Sequence, residues 1–303
     1  MPIDFQQIEQ LTQLEFYTKQ VVEGFISGLH RSPFHGFSAE FAEHRLYNTG
    51  ESIKNIDWKL YARTEKLFIK RFEEETNLRC QILLDFSGSM HFPKGEQQNK
   101  FHYSVYAAAV IMNILKKQRD ASGLTVFSED IDTYLPSKLN DAHIKNCFLT
   151  LEGYLEKEYT PKKSNVSETL HLIAEMIPKR SLVVIFSDMF DNLHREDDVF
   201  SALQHLRFKN HEVIVFHTLD IKKELEFEFS SRPYEFVDME TQEKIKVNTA
   251  EIASVYKQKS AERQKKLKLK CGQYGIDYVQ CDIQKPLSQI IMPYLAFRKK
   301  NKV

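Results

Sequence analysis

Two apolar runs in this chain end in the same way. Cys80-Gln81-Ile82-Leu83-Leu84 leads into Asp85-Phe86-Ser87-Gly88-Ser89, and Leu182-Val183-Val184-Ile185-Phe186 leads into Ser187-Asp188. Short, continuously apolar runs bounded by polar residues predict strands buried on both faces of a parallel sheet. Open sheets of this kind bind ligands beyond the carboxyl ends of their strands, where the strand order reverses. Asp85, Ser87, Ser89 and Asp188 are therefore expected to converge at one edge. Hydroxyls with a few carboxylates suit a hard cation such as Mg²⁺, which takes oxygen ligands in octahedral geometry at about 2.0–2.1 Å and keeps several waters. The competing reading is local: Ser87 and Ser89 cap the following turn and Asp188 caps a helix. Oxygens arriving from separate loops favour the cation.

From Cys80 onward strands and helices alternate, the pattern of an α/β parallel sheet. Strand 80–86 precedes a helix over Lys100–Lys117, a strand over Leu124–Phe127 and an edge strand over Ile131–Leu135. Helices over Asp141–Tyr154 and Ser167–Ile177 lead to strand 181–187, and a helix over Asp197–Leu206 leads to strand Glu212–Thr218. The segment 222–248 breaks the rhythm. Glu226-Phe227-Glu228-Phe229 alternates with period two, and Tyr234–Asp238 and Lys244–Val247 flank a polar turn, so the segment reads as a β-hairpin insertion. A helix over Ala250–Cys271, strand Asp277–Cys281 and helix Pro286–Arg298 close the chain. The expected fold is a doubly wound, mostly parallel α/β sheet with helices on both faces.

Ahead of it, residues 1–79 form an expected appendage, with 80–303 as the α/β domain. Ile8, Leu11, Leu14, Thr18, Val21, Val22, Phe25 and Leu29 recur at helical spacing, and Leu67–Phe72 reads as a strand. The 34–75 block is dense in charge. Glu40, Glu43 and His44 would allow a second metal or catalytic site, but a structural ion-pair network around Arg45, Asp57 and Arg63 is the simpler account. Trp58 is expected to anchor packing.

The 42 basic and 42 acidic side chains balance, so no global attraction to nucleic acid or anionic lipid is expected. Lys257, Lys259, Arg263, Lys265, Lys266, Lys268 and Lys270 crowd one helix, but without interleaved aromatics they read as a solvated face. Cys80, Cys147, Cys271 and Cys281 lack metal or disulfide spacing and read as reduced core thiols. No stretch has the build of a signal peptide or a bilayer span. The expectation is a cytoplasmic chain that does not insert into a membrane.

Asp85-x-Ser87-x-Ser89 after a buried strand, with Ser187-Asp188 closing a later one, resembles the metal-ion-dependent adhesion site of von Willebrand factor A (VWA) domains. A longer signature is more specific: Phe34-His35-Gly36-Phe37-Ser38-Ala39-Glu40-Phe41, then Arg45-x-Tyr47-x-x-Gly50, Ile56-Asp57-Trp58-Lys59 and Ala62-Arg63. It resembles that of the DUF58 family, whose members carry this segment ahead of a VWA-like domain. Asp238-x-Glu240-Thr241 and Tyr294-Leu295-x-x-Arg298 agree, so the likeness covers nearly the whole chain. Glu51 stands where the family has Asp, Lys54 where it has Arg, and Ser164-Asn165 where Thr-Asp precedes the third helix.

The resemblance implies a VWA/Rossmann-like core and a Mg²⁺ site, with Mn²⁺ or Ca²⁺ as alternatives. Ser87 and Ser89 would ligate directly, Ser164 directly or through water, and Asp85 and Asp188 likewise. A partner carboxylate would take the open position. The implied partner is a MoxR-type AAA+ ATPase or its client, with this chain a non-enzymatic adaptor. A metal-dependent phosphoesterase or nuclease is the alternative, and a scaffold with a vestigial site is a third reading. There is no G-x-S-x-G elbow and no G-x-x-x-x-G-K-[ST] loop, so neither nucleophilic catalysis nor nucleotide hydrolysis is expected of the chain.

Overall fold

A computed structural model describes residues 13–26, 41–47, 56–72, 78–94, 99–157, 165–189 and 196–301. Helix α1 (Gln13–Ile26) belongs to the larger of two units, which takes in the chain up to Pro33 and everything from Arg79 on. Phe34–Leu78 form the smaller unit. The helix that the sequence grouped with the 1–79 appendage is thus part of the α/β unit.

In the smaller unit β1 (Phe41–Leu46) and β2 (Phe68–Phe72) pair antiparallel. A short helix, α2 (Trp58–Thr64), is capped by Asp57, whose Oδ1 accepts from the backbone N–H of Lys59 at 3.0 Å and of Leu60 at 3.1 Å. Trp58 does not anchor a core: it is 59% exposed and meets Tyr61 edge-on. It opens a seven-residue helix that buries none of its side chains, too short to present an apolar stripe.

The larger unit runs β3 (Arg79–Asp85), α3 (Lys100–Lys117), β4 (Ala121–Phe127), β5 (Ile131–Lys138), α4 (Asp141–Glu156), α5 (Val166–Met176), β6 (Leu182–Ser187), α6 (Glu196–Phe208) and β7 (Glu212–Leu219). After these come β8 (Pro233–Val237), β9 (Lys244–Asn248), α7 (Thr249–Gln273), β10 (Asp277–Asp282) and α8 (Leu287–Asn301). Among the described residues six strands form one sheet in the order β10-β7-β6-β3-β4-β5, parallel except for β5 at the edge. The chain lays strands outward on one side of β3, then returns to start β6 on its other side. The strand order therefore reverses between β3 and β6.

Because strand side chains alternate between faces, each apolar run feeds two cores. Leu83, Val183, Ile185, Val213 and Val215 pack with Leu170 and Ile173 of α5, Leu203 and Leu206 of α6, and Leu267 and Cys271 of α7. On the other face Phe186 stacks on Phe216 at 4.8 Å, and Phe216 meets Tyr294 of α8 edge-on at 5.6 Å. There too Phe86 packs against Phe101 of α3 at 4.7 Å. Helix α3 is buried almost all round, as a helix covered on two sides must be. Its second cover is α1: Thr18 Oγ1 is bonded to the Asn113 amide, Lys116 pairs with Glu15 at 3.2 Å, and Glu152 of α4 accepts from Leu14 N–H at 3.0 Å.

Strands β8 and β9 pair antiparallel, but Glu226–Phe229 is not a strand. A π-helical turn over Ile221–Leu225 leads into Phe227, whose φ of 49° is left-handed and incompatible with extended backbone. Its period-two pattern serves an aromatic cluster instead, in which Phe227 meets Tyr256 at 4.5 Å and Phe229 at 4.9 Å. Among the described residues no helix is long and apolar enough to cross a membrane.

The α1–α3 contact can be tested at its buried polar pair. Thr18→Val should cost about 1–3 kcal/mol, the penalty of stranding the Asn113 amide without its acceptor. Adding Asn113→Leu should recover part of that loss, so urea melts of the two single variants and the double variant should be non-additive. Strict additivity would separate the two residues energetically.

Candidate metal centre

The register across the sheet assembles the site. Leu84 pairs with Phe186 and Ser187 with His217, so Asp85 at the end of β3 lies beside Ser187 at the end of β6, with His217 of β7 next in the row. These are the carboxyl ends of the strands that flank the reversal of strand order, the position where open α/β sheets hold ligands.

Asp85 is fully buried and held by two donors. Ser187 Oγ donates to its Oδ2 at 2.6 Å, and Ser87 N–H donates to its Oδ1 at 2.9 Å. Ser187 Oγ in turn accepts from Met189 N–H at 2.8 Å. Even so, burial and then the charge of Asp188 push the Asp85 carboxyl up to about 6. Ser87 and Ser89, two residues apart around Gly88, bring their hydroxyl oxygens to 3.2 Å of each other.

Asp188 is turned by its neighbours. Met189 takes a left-handed φ of 52° with its side chain in the core, a strained conformation of the kind that collects at functional sites. The Asp188 carbonyl accepts from His217 Nε2–H at 2.9 Å, which fixes Nδ1 as the acceptor of the Tyr278 hydroxyl at 2.6 Å. Burial drives His217 down to about 4, so the ring is neutral. Arg263 of α7 donates to the Met189 carbonyl at 3.2 Å.

The Asp188 carboxylate faces a cation already in the chain. Lys100 Nζ donates to Asp188 Oδ2 at 2.8 Å and to Glu224 Oε1 at 2.6 Å. Burial opposes the ammonium, but the two carboxylates outweigh it and raise its pKa above the ordinary lysine range. Glu224 is held from behind, its Oε2 accepting from Asp220 N–H at 2.7 Å.

The donor set fits a hard divalent cation. Adjacent ligands of an octahedral ion with bonds of about 2.0–2.1 Å lie about 2.8–3.0 Å apart, close to the separation of the Ser87 and Ser89 oxygens. An unpartnered acceptor lies nearby: Asn165 Oδ1 is buried without a hydrogen bond, while its N–H reaches Ser128 O, just past β4, at 3.1 Å. Among the described residues no cluster of three or more His, Cys, Asp and Glu could hold a metal. A cation here therefore depends on the serine hydroxyls. Asp188, with Oδ2 engaged by Lys100, suits a water-mediated place.

The structure thus brings together Asp85, Ser87 and Ser89 at the end of β3, with Asp188 at the end of β6. Ser164 lies outside the described residues, although Asn165 beside it is at this edge. Sequence reasoning missed Ser187, Lys100, Glu224 and His217 as neighbours of the site. Lys100 had a legible signal, since a lysine in the first turn of a helix opposes the macrodipole. Glu224 had none, because its approach depends on the π-helical turn. The basic residues of α7 are mostly a solvated face: Lys266 pairs with Asp197 at 3.6 Å, and Lys266 and Lys270 lie over Phe200.

Fold and site together define an α/β protein with an oxygen-rich cluster at the reversal of an open sheet. Residues 43–266 match the family described as "Protein of unknown function DUF58", and the chain belongs to that family. It is 23% identical over 178 residues to uncharacterized proteins of Mycobacterium tuberculosis and Mycobacterium bovis. That match covers 59% of this chain and 56% of theirs, so the chain spans little more than half the length of these curated relatives. Among solved structures, an aerotolerance-related membrane protein from Bacteroides fragilis is 15% identical with a TM-score of 0.44, over 75% of this chain and 100% of the other. The conserved hypothetical protein BatB from Bacteroides thetaiotaomicron is 16% identical with a TM-score of 0.39, over 74% and 100%.

The raised Asp85 carboxyl has a measurable consequence. The folded chain keeps a proton that the unfolded chain, with an ordinary value of 3.8, has released. The contribution of Asp85 to stability is therefore greatest below about pH 4 and is lost as pH rises through about 6, an effect of about 2–3 kcal/mol. Urea titrations in EDTA should show wild type losing that much relative to Asp85→Asn between pH 4 and 6.5. Parallel profiles would mean that the carboxyl titrates normally.

Proposed function

We propose that this chain is a non-enzymatic, Mg²⁺-dependent protein-interaction module built on a VWA-like core, and that its partner is a MoxR-type AAA+ ATPase or that ATPase's client. The observation that carries the reading is the pair of hydroxyls, Ser87 and Ser89, at 3.2 Å beside the buried Asp85 where the strand order reverses. Ser87 and Ser89 would hold the ion, with Asp85 and Asp188 acting through water and Ser164 as a further ligand. A bound ion with few anionic ligands supplies Lewis acidity toward an oxygen of the partner. The chain's own residues do the rest: Ser187 and the Ser87 amide orient Asp85, and His217 orients the Asp188 backbone. The four buried free cysteines support the cytoplasm as the compartment.

Calorimetry tests the ion and binding assays test the partner. Wild type should bind one Mg²⁺, and Ser87→Ala with Ser89→Ala should abolish binding while the melting curve in EDTA stays cooperative. Unchanged Mg²⁺ affinity in that double variant would overturn the site. Binding of a purified MoxR-type ATPase should be lost in EDTA and on Asp188→Ala, yet survive moderate salt better than a surface ion pair does. An EDTA-resistant complex would sink the metal bridge. Mg²⁺-dependent turnover of a generic phosphoester, lost in Asp85→Ala, would replace this reading with the phosphoesterase one.

A further inference from the structure

Lys100 is the least expected residue at this edge. Its side chain is 1% exposed, it sits in the first turn of α3 where the helix macrodipole disfavours a cation, and it holds two carboxylates from two other elements. An ammonium is costly to bury, and a pair like this one is seldom a net gain over apolar packing. A purely structural tether between α3 and the turn after β7 would need only Glu224. The bond to Asp188 Oδ2, at the candidate metal centre, is the one that packing does not require.

The charge at this edge points the same way. With Asp188 and Glu224 ionised and Lys100 protonated, the bonded set of two carboxylates and one ammonium carries one negative charge, and an ionised Asp85, whose carboxyl feels the charge of Asp188, adds a second. A divalent cation cancels that remainder, whereas without Lys100 three charges would face it. Lys100 also bears on how the cation is held, because a metal at Asp188 Oδ2 would have to share that oxygen with the ammonium.

We infer that Lys100 sets the affinity of the metal site: it competes for the Asp188 carboxylate and weakens the hold on the cation, so that the ion rests more on the serine hydroxyls and stays open to a partner's oxygen. This rests on the metal reading above. Glu224 acts in the opposite sense, sharing the ammonium and adding negative charge.

Two substitutions of opposite sign test it. Lys100→Met should melt lower than wild type in EDTA, with two carboxylates deprived of their shared ammonium, yet bind Mg²⁺ about tenfold tighter by calorimetry, in line with the effect of a neighbouring ion on a carboxylate. Glu224→Gln should bind Mg²⁺ several-fold more weakly, since Lys100 then bears on Asp188 alone. A lysine that is only structural would lower the melting temperature without tightening Mg²⁺. Equal or weaker affinity in a folded Lys100→Met, or wild-type affinity in Glu224→Gln if Lys100→Met does not fold, would overturn the inference and leave the metal site standing. No Mg²⁺ heat in wild type itself would remove the metal reading, and this inference with it, before either variant is considered.

Discussion

The burial of Asp85 where the sheet reverses is the constraint around which the rest is arranged. A carboxylate out of water must be paired, hydrogen-bonded or neutralised. Here it takes a hydroxyl from Ser187 and an amide from Ser87. The first bond ties the end of β3 to the end of β6 across the reversal of strand order, and the second fixes the loop that carries Ser87 and Ser89. Burial and Asp188 still hold the proton on Asp85 more firmly than usual. A cation at this edge would relieve both effects at once.

Asp188 extends the same logic outward. Its carboxylate engages Lys100, which engages Glu224, whose backbone carbonyl accepts from Ser260 of α7 at 3.3 Å. Arg263 of the same helix reaches the Met189 carbonyl. Thus α7 touches the site through the turn after β7 and through the loop after β6. Its basic residues divide between these roles and solvent, which explains how a helix so rich in lysine packs without a broad apolar stripe: Leu267 and Cys271 suffice to seat it in the core.

The packing of α3 explains why the amino-terminal helix belongs to the sheet domain. A helix apolar on all sides needs two covers, and the sheet supplies only one. Helix α1 supplies the other, with the buried Thr18–Asn113 pair setting its register. The cysteines follow the same core logic. All four are buried and free, and burial pushes the thiols of Cys147 and Cys271 up to about 12, far from reactivity.

Much of the fold is legible in the residues alone, for local reasons. The short apolar runs at 80–84 and 182–186 are strands because such runs suit a sheet covered on both faces, and each helix of the α/β rhythm carries its own periodicity. Asp85, Ser87, Ser89 and Asp188 were legible as neighbours because strand ends in a parallel sheet share an edge. Trp58 and Phe227 were misread because exposure and a left-handed φ depend on what surrounds a residue, and a pattern along the chain does not contain that. Lys100 and Glu224 lie 124 positions apart, and Lys100 and Asp188 lie 88 apart. No spacing rule links such residues. Only the folded chain, by burying Lys100 and Asp188 and bringing Glu224 against them, makes an ammonium and two carboxylates seek one another, and so decides what charge the candidate metal centre presents.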